Sequence, residues 1–96
     1  MWLIGKNKEI KISDKFGDPY FGELVSFLEA YFDAKFIKKK EVEFDLSYFD
    51  YSIKGKIITI LSEGMSGTSL SGNKLILTNI INKAKEINPK LVENVR

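Results

Sequence analysis

The sequence predicts an α+β fold: a mainly antiparallel sheet of five to six strands with two helices packed on one face. Two segments place apolar residues three and four positions apart, the period of a helix with one buried side, and the other segments alternate with a period of two. The links between neighbouring strand segments are short, which favours antiparallel pairing. The predicted element order is therefore β-β-α-β-β-β-β-α.

The composition predicts one domain over residues 1–96. The chain is 44% hydrophobic and 29% charged, values that are near the average for a soluble globular protein. Residues 90–96 form a tail that either docks on the domain or stays flexible.

The N-terminal part predicts a hairpin followed by the first helix. Residues 2–4 are apolar and are followed by a turn signal, and residues 8–13 alternate between polar and apolar. Asp18 and Pro19 predict the helix start, because a carboxylate accepts hydrogen bonds from free N–H groups and proline lacks only an N–H that would be unpaired. The predicted apolar stripe of this helix is Phe21, Leu24, Val25, Leu28, Tyr31 and Phe32. Gly22 interrupts it, either as a tolerated defect or as a point where another backbone comes close.

The middle of the chain predicts four strands. Val42, Phe44 and Leu46 alternate with acidic residues and are expected to face the core, and Phe49 continues an apolar run. A glycine at residue 55 marks a tight hairpin. Residues 57–61 are the best candidate for a central strand, and residues 68–71 are a short polar strand suited to an edge.

The second helix is predicted from its cap, its stripe and its end. Asn73 is the predicted N-terminal cap, and Pro89 ends the helix because the residue before proline is pushed out of the helical region. The stripe expected to face the core is Leu77, Ile80, Ile81, Ala84 and Ile87.

The residue types exclude several chemistries. The chain has no cysteine and no histidine, so disulfides, thiolate metal sites and a cysteine nucleophile are excluded, and the commonest general base is missing. Lys74 lies one residue too far from Gly72 for a phosphate-binding loop. We expect no enzymatic activity, no cofactor and no metal.

The charges are unevenly distributed. The net charge is +2, but residues 14–50 carry five lysines and nine acids and residues 51–96 carry seven bases and three acids. This is either chance segregation on a solvated surface or an acidic face for a basic partner. Nucleic acid is not an expected partner.

Glu41, Glu43 and Asp45 are the most prominent acidic group. At a spacing of two they would project together from one face of a strand. They form a solvated face, a partner-binding ridge, or a Mg²⁺ or Ca²⁺ site.

A second contact surface is expected on the other side of the next strand. Tyr48, Asp50 and Ser52 alternate with its apolar residues, and tyrosine is favoured in interfaces. The full set of expected partner-binding residues adds the loop before the first helix: Asp14, Asp18, Glu41, Glu43, Asp45, Tyr48 and Asp50.

The expected compartment is the cytoplasm. No apolar run approaches the ~20 residues that a membrane span needs. The N-terminus lacks the pattern of a signal peptide.

Three segments carry a family resemblance: DKFGDPYFGEL at residues 14–24, GKIITIL at 55–61 and GMSGTSL at 64–70. Within the run 11–72 the chain resembles small bacterial immunity proteins of polymorphic toxin systems, such as those paired with contact-dependent growth inhibition toxins. The resemblance implies a cytoplasmic protein that binds a cognate toxin domain, often a nuclease, and blocks it. It assigns no contact residue. The first alternative is a small regulatory or structural module that self-associates through an exposed strand, and the second is a metal-dependent nuclease or other enzyme. A monomer or weak homodimer is expected.

Overall fold

The computed structural model describes residues 7–43 and 45–95, without the side chains of Asn7 and Glu43. Its elements follow the order β-α-β-β-β-β-α, which confirms the α+β class. They are β1 (Asn7–Ser13), α1 (Tyr20–Phe32), β2 (Lys35–Glu43), β3 (Leu46–Ile53), β4 (Lys56–Glu63), β5 (Gly67–Asn73), α2 (Lys74–Ile87) and a short 3-10 helix (Pro89–Val92). The strand predicted at residues 2–4, and Phe44, lie outside the described residues.

The five strands form one antiparallel sheet in the order β1-β5-β4-β3-β2. The apolar strand β4 lies at the centre, as its sequence predicts. The prediction that residues 68–71 form an edge is wrong, because β1 pairs with β5 and places it inside the sheet. Among the strands that the structure describes, β1 and β2 are the outermost.

The prediction that one strand continues through Val42, Phe44 and Leu46 is also wrong. The chain turns at Asp45, so Val42 belongs to β2 and Leu46 to β3. The pairing shifts between Glu41 and Glu43, which leaves Val42 out of register with 44% of its surface exposed.

A single core lies between the helices and one face of the sheet. Helix α1 buries four residues, Tyr20, Leu24, Phe27 and Leu28. Two of these, Tyr20 and Phe27, are not in the predicted stripe, whereas Tyr31 is 48% exposed. The ring of Phe21 packs at 4.5 Å from that of Phe49, which joins α1 to β3.

Helix α2 begins and ends where the sequence predicts. The Ile76 N–H donates to Asn73 Oδ1 at 3.1 Å, and the helix ends at Ile87 before Pro89. The predicted stripe is buried apart from Ile87, which is 43% exposed. Both helices therefore cover the same face of the sheet.

The C-terminal segment docks on the domain. Leu91 and Val92 are buried, and the Tyr20 hydroxyl donates to the Leu91 carbonyl oxygen at 2.7 Å. The Asn94 N–H donates to the Ile12 carbonyl oxygen at 3.0 Å, which covers part of the β1 edge. Of the two alternatives for residues 90–96, the structure shows docking for this part of the tail.

The Tyr20 hydroxyl predicts a loss of stability at alkaline pH. Burial raises the pKa of Tyr20 above its ordinary value. Above pH ~10 the unfolded chain therefore releases this proton while the folded chain keeps it, so the free energy of unfolding falls as the pH rises. We expect Tyr20→Phe to flatten this decline in denaturant titrations between pH ~9 and ~11, at a cost of about 1 kcal/mol at neutral pH. An unchanged slope in the variant would contradict this role.

Candidate functional site

Within residues 7–43 and 45–95, no helix or strand covers the sheet face opposite the helices, and we call it the open face. Because paired residues of an antiparallel sheet point to the same side, the register defines two rows of side chains that cross all five strands. The Asp50 row is Lys38, Asp50, Thr59, Ser71 and Glu9. The Tyr48 row is Lys40, Tyr48, Leu61, Ser69 and Lys11.

The centre of the open face is a shallow depression of about 390 Å³. The central residues are half-buried, whereas the lysines on β2 are exposed. The Thr59 hydroxyl donates to Asp50 Oδ1 at 2.7 Å, which holds that carboxylate against the floor. The depression therefore combines an aromatic side chain, hydroxyl groups and fixed charges.

Charges of both signs line this face. The two rows hold three lysines, at positions 11, 38 and 40, and two carboxylates, Glu9 and Asp50. A partner that covers the face must therefore offer charges of both signs rather than a uniformly basic surface.

The prediction for β3 is confirmed in its geometry. Tyr48, Asp50 and Ser52 lie on the open face, while Tyr51 and Ile53 on the same strand are buried in the core. The alternation of polar and apolar residues along this strand was sufficient to place them.

The acidic residues 41, 43 and 45 do not form one ridge. Glu41 is paired with Ser47, on the helix side of the sheet, and Glu41 Oε2 lies 3.1 Å from Lys39 Nζ. Asp45 lies in the turn after β2, where its carbonyl oxygen accepts from the Gly64 N–H at 2.9 Å. Glu43 ends β2, and its side chain is outside the described residues. The expectation of a shared face fails because the strand ends between them.

Asp14 and Asp18 lie in the loop between β1 and α1. Asp14 Oδ1 is 2.9 Å from Lys11 Nζ and accepts from Asn94 Nδ2 at 3.2 Å, and these two contacts lower the pKa of Asp14. Asp18 Oδ1 accepts from the Gly22 N–H at 3.2 Å, so its carboxylate pairs with an N–H group of the first turn although Asp18 is not the cap residue. The helix begins at Tyr20, one residue later than predicted, with Pro19 at the cap position.

The loop and the β2 acids lie at opposite edges of the sheet. Ser13 and Glu41 occupy the same cross-strand row, with β5, β4 and β3 between them. Four strand spacings of ~4.8 Å place them about 19 Å apart. The predicted acidic residues therefore belong to separate surfaces.

Sequence reasoning missed Lys38 and Lys40 as members of the candidate site. The run of residues 38–40 is typical of a solvated segment, and strict alternation from Phe36 would put Lys38 on the helix side. The pairing shifts between Phe36 and Lys38, however, and this bulge at Ile37 turns Lys38 and Lys40 to the open face.

Among residues 7–43 and 45–95, no group of three or more carboxylates converges on a possible metal position. Neither of the helices described is long and apolar enough to cross a membrane.

Comparison with known proteins gave no match: no family model, no curated protein and no solved structure is significantly similar to the chain.

Proposed function

We propose that the chain is a stoichiometric protein-binding inhibitor, an immunity protein that neutralises a cognate toxin domain in the cytoplasm. The observation that carries the proposal is the open face, a sheet surface left uncovered by both helices with half-buried Tyr48 at its centre. Tyrosine is enriched at the centre of protein interfaces, where its ring supplies contact area and its hydroxyl a hydrogen bond. The resemblance of residues 11–72 to immunity proteins supports the class of partner.

The mixture of groups on the open face suits a non-obligate complex. Such interfaces are about as polar as the rest of a protein surface and place an aromatic anchor inside a polar rim. Tyr48 would be that anchor, and Lys38, Lys40 and Glu9 would belong to the rim. The charged rim would set the register and the rate of association.

Co-purification with the product of the adjacent upstream gene tests the partner, and titration of that toxin tests the mechanism. We expect toxin activity to fall linearly and to reach its minimum at one equivalent of this protein. A minimum reached far below one equivalent would mean catalytic inactivation and would overturn the proposal.

Tyr48→Ala tests the interface. We expect the toxin affinity to fall at least tenfold, the loss typical of an interface hot spot, with little change in the free energy of unfolding. Calorimetric or surface-based binding measurements give the affinity, and denaturant melts give the stability. Lys85→Glu, an exposed position on α2, is the control and should bind as the wild type does.

Charge reversal at the end of β2 tests whether the toxin contacts the acidic residues 41, 43 and 45 or only the open face. The triple variant Glu41→Lys, Glu43→Lys and Asp45→Lys should fold and lower the association rate constant if these acids steer a basic toxin, and that effect should shrink with added salt. Unchanged rate constants, together with loss of binding in Tyr48→Ala, would assign the contact to the open face alone.

The second candidate, a self-associating module, is favoured by the exposed β2 edge. Phe36 and Ile37 on this strand are 56% and 46% exposed. The same strand carries four lysines and two register shifts, however, and both features protect edges against pairing with another chain. We therefore expect a monomer in analytical ultracentrifugation at ~100 μM, and a stable dimer disrupted by Ile37→Lys would favour the module instead.

A further inference from the structure

A second concave surface lies on the helix layer. It is a groove of about 700 Å³ between α1 and the corner where α2 meets the 3-10 helix, and we call it the α1 groove. Phe27 and Leu91 are buried beneath it, while Tyr31 and Ile87 leave 48% and 43% of their surfaces exposed along it. It belongs to the helix layer, whereas the open face is the opposite side of the sheet.

One wall of the α1 groove is a ridge of small residues. Gly22, Ser26 and Ala30 are four positions apart on α1, so they stack along one side of the helix. All three are exposed, and none has more than two side-chain heavy atoms. Such a ridge allows a second helix axis to approach more closely than the usual 8–10 Å.

Packing within the chain does not explain Gly22. It has ordinary helical conformation, and an added Cβ would meet only Asp18 Oδ1, at 3.4 Å. Glycine in a helix costs up to about 1 kcal/mol relative to alanine, somewhat less near a helix end. The fold would therefore accept alanine here, and the space that glycine leaves opens into the groove.

The lining of the α1 groove itself carries carboxylates, while Lys15 and Lys90 line the adjoining pocket on the other side of Asp18 and Glu23. The lining residues, all within the described part of the chain, include the carboxylates of Asp18 and Glu23 and no lysine or arginine. Residues 16–34 as a whole carry four acids, which add Glu29 and Asp33, and no base. All four carboxylates are on exposed residues.

One lysine of α2 lies at the rim of the groove, next to Tyr31. Lys83 Nζ lies 5.4 Å from the centre of the Tyr31 ring and 3.6 Å from Glu86 Oε1. Its ammonium group therefore lies near the end of α1, whereas Asp18 and Glu23 lie at the start of that helix.

We propose that the α1 groove binds an amphipathic α-helix of a partner protein, with small and apolar residues against the Gly22–Ser26–Ala30 ridge and lysine or arginine beside Asp18 and Glu23. Helix-in-groove recognition uses apolar anchors on one side of the helix, and here the acidic wall selects the charge of the flanks. The 13 residues of α1 span about 20 Å, which matches three to four turns of a partner helix. The inference goes beyond the toxin-binding proposal, because the groove and the open face lie on different layers of the molecule.

Peptide binding to the intact protein tests this inference without the toxin. The probe is an amphipathic peptide of about 15 residues built from alanine, leucine and lysine, and the control replaces every lysine by glutamate. We expect fluorescence anisotropy to show binding of the lysine peptide, weakening as ionic strength rises from about 0.05 to 0.5 M, and at least tenfold weaker binding of the glutamate peptide. Equal binding of the two peptides, or no binding of the lysine peptide, would overturn the proposal.

Two variants place the peptide in the groove. Gly22→Ala should fold with unchanged or greater stability and bind the lysine peptide at least fivefold more weakly. Its control is Asn79→Ala, at an exposed position of α2, which should bind the peptide as the wild type does. Glu23→Lys should also weaken binding, with Glu63→Lys on the sheet as its matched control. Normal binding by both Gly22→Ala and Glu23→Lys would overturn the assignment. So would a dimer of the protein alone that Gly22→Ala dissociates, because the occupant would then be a second copy.

Discussion

Replacing Gly67 with alanine is expected to destabilise the fold by about 3–5 kcal/mol or to prevent folding, the largest effect of a single methyl group in this chain. Gly67 has φ +105°, a conformation that side chains rarely adopt. A Cβ at this position would overlap the Ser13 carbonyl oxygen and lie 2.8 Å from Asp14 Cα. Both neighbours are backbone atoms at the end of β1, so relief requires β1 and β5 to separate.

Gly55→Ala is the matched control for this experiment. Gly55 also has a positive φ, +80°, but an added Cβ would meet nothing within 4 Å. The conformational strain of about 1–2 kcal/mol is therefore present without the overlap. Denaturant melts of the two variants isolate the contribution of the β1–β5 approach. Equal losses of stability would show that β1 adjusts freely at this point.

The local signals in the sequence were sufficient to place the start and the end of α2 and, to within one residue, the start of α1. Asp18 and Asn73 accept hydrogen bonds from N–H groups of the first turns of α1 and α2, and Pro89 stops α2. Each of these signals acts within four residues of the chain. Because only neighbouring side chains decide where a helix begins or ends, each helix end could be predicted from its own segment without knowledge of the rest of the fold.

The order of the strands could not be predicted in the same way. Residues 68–71 are short and polar, which is typical of an edge, yet β1 pairs with β5 across more than fifty residues of chain. Polar side chains suit this interior strand because Ser69 and Ser71 face the uncovered side of the sheet, while Leu70 is buried. The alternation of polar and apolar residues therefore indicates which face of the sheet is open. It does not indicate which strand is outermost.

The candidate site was also predictable only where it depends on the pattern within a single strand. Tyr48, Asp50 and Ser52 follow from alternation along β3 alone. Lys38 and Lys40 join them only through the bulge at Ile37, a property of the pairing between β2 and β3 that no periodicity in residues 35–43 indicates. The prediction for the acidic residues is wrong for a related reason, because β2 ends at Glu43 and a turn at Asp45 divides a pattern that is typical of one strand.

The open face and the core have a common origin. With both helices on one side, the apolar residues of all five strands are used to build a single core, and the residues between them remain on the other side. Changes in the core should therefore act on stability, and changes on the open face should act on binding. This separation makes the interface variants interpretable, provided that the core contribution is measured independently.

Leu28→Ala provides that measurement and is expected to cost about 2–5 kcal/mol. Leu28 is fully buried, with 0% of its surface exposed, on the side of α1 that faces the sheet. Its removal leaves a cavity that the surrounding side chains fill only in part. In a chain of this size the loss lowers the melting temperature by about 10 °C or more.

Leu75→Ala is the matched control for the core variant, because Leu75 in α2 is 69% exposed. The same atoms are removed there without leaving a cavity, so we expect a change within about 0.5 kcal/mol. The toxin affinity of the Leu28 variant, measured well below its melting temperature, should equal that of the wild type if the open face is the interface. A loss below ~1 kcal/mol in denaturant melts would contradict the burial of Leu28 and would place this side of α1 among the surfaces open to a partner.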